Sequence, residues 1–247
     1  IRNIKVNGAL LVDSTATPPN VPSIASTVRA NPAAGFSIIT YNGNGSTHQS
    51  SGHGLNAAPK LYIQKRTDST SNWGVTTNTS GTLQYIPLNS TTSAITSSAN
   101  SPTSSVVYIS GSGVAFNVNG ATYVTYCFAP VEGYSAMGSY TGNGSADGPF
   151  VFTGMRPAFI LIKRSSATEN WMIIDTARDT YNVGGTHLMP NNSLAEGTST
   201  PVDHLSNGFK LRTSSAAMNA SGDTYIYYAV AENPFAQDAQ TVTTGDT

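Results

Sequence analysis

Charge and cysteine are the two things that this sequence has least of. Charged residues make up 10% of the chain, against roughly 25% in an average soluble domain, so Ser, Thr, Asn and Gly must supply much of the polar surface. The formal net charge is −1, with Lys and Arg scattered, which argues against a nucleic-acid partner. The single cysteine, Cys127, excludes an intrachain disulfide framework, and we expect it to be a buried thiol in an apolar strand.

Long apolar runs and catalytic signatures are missing as well. No stretch approaches the roughly 18 apolar residues of a membrane span, so we expect no membrane insertion. The first residues lack the basic region and apolar run of a signal peptide. No Gly-x-Ser-x-Gly elbow supports a hydrolase-type serine nucleophile. The pairs Gly43/Gly45 and Gly142/Gly144 have no following helix to hold a phosphate, so we interpret them as turns.

What the sequence does contain is one pattern written twice, about 100 residues apart. The repeated positions are turn residues and apolar strand residues, whereas acids, bases and nucleophiles do not recur. A duplicated scaffold without duplicated chemistry points to architecture and binding rather than catalysis, so we predict no enzyme activity and no catalytic residue. The matching segments are 41–46 with 140–145, 59–66 with 157–164, 72–73 with 170–171, and 120–129 with 222–231.

Nearly every periodic segment has a period of two residues, which is typical of β-strands. We therefore predict an all-β fold of two tandem, similar β-sandwich repeats of the jelly-roll kind, each of about 100 residues. The matched Trp73 and Trp171 are expected in the core. The predicted divisions are terminal strands of a preceding domain (1–14), a linker (15–34) in which residues 23–28 could form one helical turn, repeat 1 (35–133), repeat 2 (134–235), and a polar tail or connection (236–247).

The densest charge cluster follows a predicted strand in the second repeat. Asp175 and Asp179 could form the carboxylate pair of a glycosidase, which needs two acids roughly 5–10 Å apart, but we favour a local salt bridge with Arg178. The loop from 175 to 185 departs most from its counterpart, and a binding loop is free to differ. Its charges, together with Tyr181 and Asn182, suit polar ligands. We predict that ligand contact is made by Asp175, Arg178, Asp179, Tyr181 and Asn182.

Histidines offer no convincing metal site. A zinc site usually needs three or four ligands with a supporting second shell. His48 and His53 lie in one Gly/Ser-rich loop without counterparts in the second repeat, and His187 and His204 lie far along the chain. We therefore predict no metal and no other cofactor.

Several strings of the sequence carry a resemblance to a known group of proteins. They include Gly35–Tyr41, Gly52–Leu55, Glu132–Ser135, Asp175–Asp179 and Leu205–Leu211. With these strings the chain resembles domains of structural proteins in marine tailed bacteriophages, those of cyanophages and pelagiphages in particular. Its opening residues look like the last strands of a laminin-G or concanavalin-like lectin domain. The resemblance implies a virion-surface or extracellular location, a homotrimer, other virion proteins as partners and host surface glycan as a candidate ligand.

We therefore expect a non-enzymatic structural or host-attachment module of a phage tail fibre or similar appendage. Two alternatives stay open: a glycan-degrading tailspike enzyme that uses Asp175 and Asp179, and a cellular lectin or adhesin. Apolar residues on both faces of the predicted strands would leave a lone domain with exposed apolar surface. We therefore expect a homotrimer or a larger symmetric oligomer.

Overall fold

The computed structural model describes residues 21–109 and 116–234, together with two short strands near the amino terminus. These are β1 (Lys5–Val6) and β2 (Ala9–Leu10), which pair antiparallel and lie within the terminal strands predicted at 1–14. The predicted tail at 236–247 and most of the predicted strand pair at 1–14 lie outside the described residues.

The described part of the first half, residues 21–109 and 116–128, contains nine strands that pair only antiparallel. Seven of them form one sheet in the order β3-β4-β11-β6-β7-β8-β9, and β5 pairs with β10. The strands are β3 (Ser26–Asn31), β4 (Phe36–Asn42), β5 (Ser50–Gly52), β6 (Leu61–Arg66), β7 (Gly74–Thr77), β8 (Gln84–Pro87), β9 (Ile95–Thr96), β10 (Val106–Tyr108) and β11 (Thr122–Phe128).

The second half contains seven strands and one short helix. Its sheets have the orders β12-β18-β14-β15 and β13-β17-β16. The elements are β12 (Ser135–Thr141), β13 (Phe150–Phe152), β14 (Pro157–Arg164), β15 (Trp171–Asp175), β16 (Val202–Leu205), β17 (Gly208–Leu211), α1 (Ala216–Asn219) and β18 (Thr224–Ala231).

The same order of neighbours occurs in both halves. The run β4-β11-β6-β7 corresponds to β12-β18-β14-β15, and the pair β5/β10 corresponds to β13/β17. The register agrees too, because Tyr123 lies opposite Tyr41 and Tyr225 lies opposite Tyr140. The predicted all-β class is confirmed. That the halves are two superposable sandwich units stays a prediction, which a superposition of residues 35–130 on 136–235 would test.

Three apolar cores hold the sheets together in layers. One lies between the two sheets of the second half around Phe209 and Met218, and one lies in the first half around Tyr62 and Cys127. Burial raises the pKa of the Cys127 thiol to about 12, as expected for an inert side chain. The third core joins the two large sheets face to face and contains Leu61, Val75 and Ile86 with Leu161, Trp171 and Ile226.

Three features differ from the sequence prediction. Residues 26–31, inside the predicted linker, form β3, because the prolines flank this Ser/Thr/Val segment rather than interrupt it. The predicted helical turn at 23–28 is wrong: residues 26–28 belong to β3, and the N–H groups of Ser23 and Ile24 bond to the Ser50 carbonyl on β5. The two tryptophans also differ, since Trp171 is 1% exposed and Trp73 is 38% exposed. Only Trp171 lies between the large sheets, with its Nε1 donating to the Pro87 carbonyl at 3.0 Å.

Candidate functional site

The connection between β15 and β16 carries four of the five predicted ligand residues, and the fifth, Asp175, is the last residue of β15. The connection runs from 176 to 201 and contains few regular elements, although backbone bridges anchor it. Leu188 pairs with Ile173, His187 with Gly197, and Gly184 with Val202. The connection is therefore tied at three points to its own segments and to the sandwich beneath it.

Asp175 and Arg178 form a closed ion pair at the start of this connection. The Arg178 backbone N–H donates to Asp175 Oδ1 at 2.9 Å, and its Nε donates to Oδ2 at 2.8 Å, with a further short contact from Nη2. Arg178 Nη1 also lies 3.5 Å from Glu196. Burial opposes ionisation of Asp175, but the Arg178 hydrogen bonds outweigh it and the pKa of Asp175 lies below its usual value. The favoured local salt bridge is confirmed.

Asp179 organises the turn that follows. Its Oδ2 accepts hydrogen bonds from the backbone N–H groups of Gly185 at 2.8 Å and Thr186 at 2.6 Å, and its Oδ1 accepts one from the Thr186 hydroxyl at 2.9 Å. Burial raises the pKa of Asp179, but these three donors more than offset it and leave the pKa lowered. Both carboxylates of the loop are thus ionised at neutral pH and engaged by donors of the protein itself.

Asn182 and Tyr181 are both exposed residues, but the Asn182 side chain is fastened to the fold by hydrogen bonds. The Asn182 side chain bonds reciprocally to the His204 backbone, donating to its carbonyl at 3.0 Å and accepting from its N–H at 2.9 Å. Tyr181 is 85% exposed, and its neighbour Val183 is exposed as well. Of the five predicted ligand residues, Tyr181 is the one whose side chain is almost entirely open to solvent.

His204 lies beneath this loop, and sequence reasoning did not connect it with the site. The ring is fully buried, and Nδ1 bonds to the Pro157 carbonyl at 2.9 Å, so Nδ1 carries a proton. Nε2 is buried and has no hydrogen-bond partner. It faces Gly184, where an added Cβ would lie 3.5 Å away. Desolvation lowers the pKa of His204 and keeps the ring neutral. His204 lies under Asn182 because of how the strands pair, and no spacing in the sequence predicts this contact.

Two of the other histidines, His53 and His187, are held by hydrogen bonds within the fold. His53 is buried, accepts from the Leu55 N–H at 3.1 Å through Nδ1 and bonds to the Thr103 carbonyl at 3.1 Å through Nε2. His187 is buried and its Nδ1 lies 2.9 Å from the Thr200 hydroxyl. Within residues 21–109 and 116–234, no three His, Cys, Asp or Glu side chains come together as a metal site.

Each of the repeated glycine-rich turns is hydrogen-bonded to a buried asparagine. The side-chain amide of buried Asn117 donates to Asn44 Oδ1 at 2.8 Å and to the Ser46 carbonyl at 2.7 Å, and the Asn117 carbonyl accepts from Gly45 N–H at 2.8 Å. Asn219 makes the equivalent bonds in the second half. Backbone N–H groups of these glycine-rich loops therefore bond to a buried asparagine, which agrees with the prediction that the loops are turns rather than phosphate-binding loops.

Comparisons with known proteins identify one relationship. Neither a curated protein nor a solved structure matches the chain. Within the described ranges, no helix has the length and apolar character needed to cross a membrane. A family model described as Domain of unknown function (DUF7483) matches residues 12–234. Because this match spans most of the chain, the protein belongs to the DUF7483 family.

Proposed function

We propose that this chain is a non-enzymatic structural and host-attachment module of a virion surface appendage such as a phage tail fibre. The observation that carries the proposal is the state of the candidate loop. The two carboxylates that a hydrolase would need are saturated by internal donors, whereas Tyr181 projects from the same loop into solvent. The bacteriophage resemblance of the sequence supplies the setting at the virion surface or outside the cell.

The electrostatics of the loop favour binding over turnover. A glycoside hydrolase of the usual kind needs one carboxylic acid with a raised pKa to protonate the leaving group. The pKa values of Asp175 and Asp179 are both lowered, so each is ionised at neutral pH. A pair of ionised, hydrogen-bonded carboxylates suits a rigid support for the loop.

The loop has the properties of a contact surface. Asp179 fixes its turn and Asn182 fastens it to β16, while Tyr181 and Val183 are exposed on the outside. An aromatic ring on a held backbone loses little conformational entropy when it meets a ligand. Host surface glycan is the proposed ligand, and further virion proteins and copies of this chain are the proposed protein partners.

A pair of loop variants tests this proposal. Tyr181→Ala removes an exposed ring, so we expect weaker attachment to host cells with a free energy of unfolding unchanged to within about 0.5 kcal/mol. Asn182→Ala breaks two bonds to His204 and is expected to destabilise the fold by about 1 kcal/mol. Cell-binding assays and chemical denaturation provide the two measurements. Trp73→Ala, which removes a partly exposed ring in the first half, is the control and should leave attachment unchanged.

Two outcomes would contradict the proposal and favour the alternatives. Attachment that is unaffected by Tyr181→Ala would remove the loop from host recognition. Release of oligosaccharides from host polysaccharide, abolished by Asp179→Asn, would establish the tailspike enzyme instead. Electron microscopy that places the protein on a cell filament rather than on a virion would favour the cellular lectin or adhesin.

A further inference from the structure

One extended segment closes the sandwich edge of the first half. Residues 26–31 pair as β3 along the outer edge of β4. Just before them, the N–H groups of Ser23 and Ile24 donate to the Ser50 carbonyl on β5 at 3.1 and 3.0 Å. The segment from 21 to 31 therefore covers the edges of both layers.

The corresponding edge of the second half is open. Within residues 21–109 and 116–234, no strand pairs with the outer edge of β12. The bonds from Gly142 N–H to the Asp223 carbonyl and from Ala231 N–H to the Tyr134 carbonyl, each 2.9 Å, show that even-numbered residues bond to β18. Since bonding sides alternate along an antiparallel strand, the backbone groups of Met137, Ser139 and Thr141 point outward, while those of Ser135 already bond to Val131 at 2.8 and 3.2 Å.

The matching positions of the first half are occupied. In β4 the odd-numbered residues bond to β11, as the 2.8 Å bond from Gly43 N–H to the Ala121 carbonyl shows. The backbone N–H and carbonyl groups of Ile38 and Thr40 therefore point towards β3, in which Arg29 and Thr27 lie opposite them. The first half thus shows that this edge accepts an antiparallel strand.

The neighbouring strand β13 extends the open edge. Leu211 N–H donates to the Pro149 carbonyl at 3.2 Å and Thr153 N–H to the Asn207 carbonyl at 3.0 Å, so the backbone groups of Phe150 and Phe152 point away from β17. Their side chains are 46% and 65% exposed. The corresponding residues on β5, opposite the matching positions of β10, are Ser50 and Gly52.

Tyr227 shows that the two open edges adjoin. Its hydroxyl donates to the Phe152 carbonyl at 3.3 Å, and its ring lies against Gly138, where an added Cβ would meet it at 2.8 Å. The outer edges of β12 and β13 therefore form one surface, which we call the β12/β13 edge.

Strand β12, the longer part of the β12/β13 edge, lacks the features that usually keep edge strands apart. Natural edges are protected by charged side chains, prolines, bulges or short length. β12 is seven residues long and contains neither a charged residue nor a proline. By contrast, the outermost strand of the first half carries Arg29 and is followed directly by Pro32, and the opposite edge of that sheet, β9, has two residues.

We propose that the β12/β13 edge is a self-association surface, on which β12 of a second copy pairs antiparallel with β12. A register centred on Gly138 places Met137 opposite Ser139 and Ser135 opposite Thr141 of the second copy. The outward-facing backbone groups of Met137 and Ser139 find partners in this register, whereas those of Ser135 stay bonded to Val131 of the same chain. A second β12 is also a suitable partner strand, because it is uncharged and contains Ser and Thr. Apart from Arg29, the strand β3 that covers the matching edge has the same character. The exposed Phe150 and Phe152 would be covered by the adjoining β13 edges.

This pairing deepens the self-association in the proposed function and can fail separately from it, because it does not involve Tyr181. A strand that pairs with its own copy has twofold symmetry and closes as a pair. It therefore predicts assemblies with an even number of copies, whereas the homotrimer implied by the bacteriophage resemblance has an odd number.

Mass measurement and hydrogen exchange test the pairing together. Sedimentation and light scattering of the full chain should give an even number of copies at high concentration. Ser139→Lys places a charge at the edge and should reduce the mass to that of one copy. Thr40→Lys makes the same change at the matching, already paired position and should leave the mass unchanged. Circular dichroism melts verify that both variants fold.

Amide exchange reports on the edge itself and does not depend on any variant. The amides of Met137 and Ser139 should exchange more slowly as protein concentration rises, while those of Ile38 and Thr40 stay protected at every concentration. A single copy at all concentrations, an odd number of copies, or an oligomer whose Met137 and Ser139 amides exchange at the dilute rate would each overturn the proposal. Heterologous protein or glycan that protects these amides while the chain stays monomeric would also overturn it.

Discussion

The two halves of this chain close their turns in the same way and finish their edges differently. The stacked rings of Tyr41 and Tyr123 have centroids 5.1 Å apart, and so do those of Tyr140 and Tyr225. At the edges, however, one half has Ser50 bonded to a covering segment, where the other has Phe150 exposed. Residues that hold the layers together recur, whereas residues on the outside vary with what covers them. The comparison separates the scaffold from the surfaces available for contact.

The matched tryptophans give the largest expected difference between the halves. Trp171→Ala removes a buried ring and a hydrogen bond from the core shared by the large sheets, so we expect a loss of about 4 kcal/mol in the free energy of unfolding. Trp73→Ala should cost under about 1 kcal/mol, since its ring is partly exposed. Urea denaturation of both variants measures the difference. Equal losses would show that the cores of the two halves depend on tryptophan alike.

The buried asparagines should instead behave alike. Asn117→Ala and Asn219→Ala each leave the glycine-rich turn without its central acceptor and donor, at an expected cost of about 3 kcal/mol. Among the described residues Asn219 has one additional partner, the Thr213 carbonyl at 2.8 Å, so we expect its loss to be equal or slightly larger. Thermal melts of the two variants give the ranking. A clearly smaller effect for Asn219→Ala would break the equivalence of the turns.

Lys163 provides a pH-dependent test. Its fully buried ammonium donates to the carbonyls of Thr91 at 3.2 Å and Glu169 at 2.7 Å, and burial lowers the pKa of Lys163 from 10.5 to about 8. Between these values the unfolded chain binds the proton more strongly, so the free energy of unfolding contributed by this group rises with pH. Relative to Lys163→Met, the wild type should gain roughly 2 kcal/mol from pH 7 to pH 10. Urea denaturation at both pH values measures this gain, and a constant difference would contradict it.

The strands themselves could be predicted from the sequence, whereas the elements that pack over them could not. Thr122–Phe128 is a strand as predicted, because its alternating burial is a local property. Pro157–Arg164 is also a strand as predicted, but it is buried on both faces and its signal is a run of apolar residues. The ion pair of Asp175 and Arg178 was also predicted, because both residues lie in one short turn.

The exposure of the tryptophans, the strand β3 and the position of His204 depend on contacts between residues that are far apart in the sequence. Trp73 and Trp171 follow the same local signal, yet the first half covers only Trp171, through contacts such as that with Pro87. The Ser/Thr segment of β3 has weak alternation, and its strand character depends on the neighbouring β4. His204 meets Asn182 only because β16 lies under the loop. No single window of sequence contains these partners.

The core between the large sheets has a consequence for how the duplicated pattern can be divided. Ala94 N–H bonds to the Ser165 carbonyl at 2.9 Å and Glu169 N–H to the Thr91 carbonyl at 2.8 Å, so the halves share backbone bonds as well as apolar contacts. Cutting the chain between β11 and β12 would expose an apolar sheet face on each fragment. We therefore expect the two halves to unfold as one cooperative unit, and we expect an insertion between β11 and β12 to be tolerated only if the two sheet faces stay in contact.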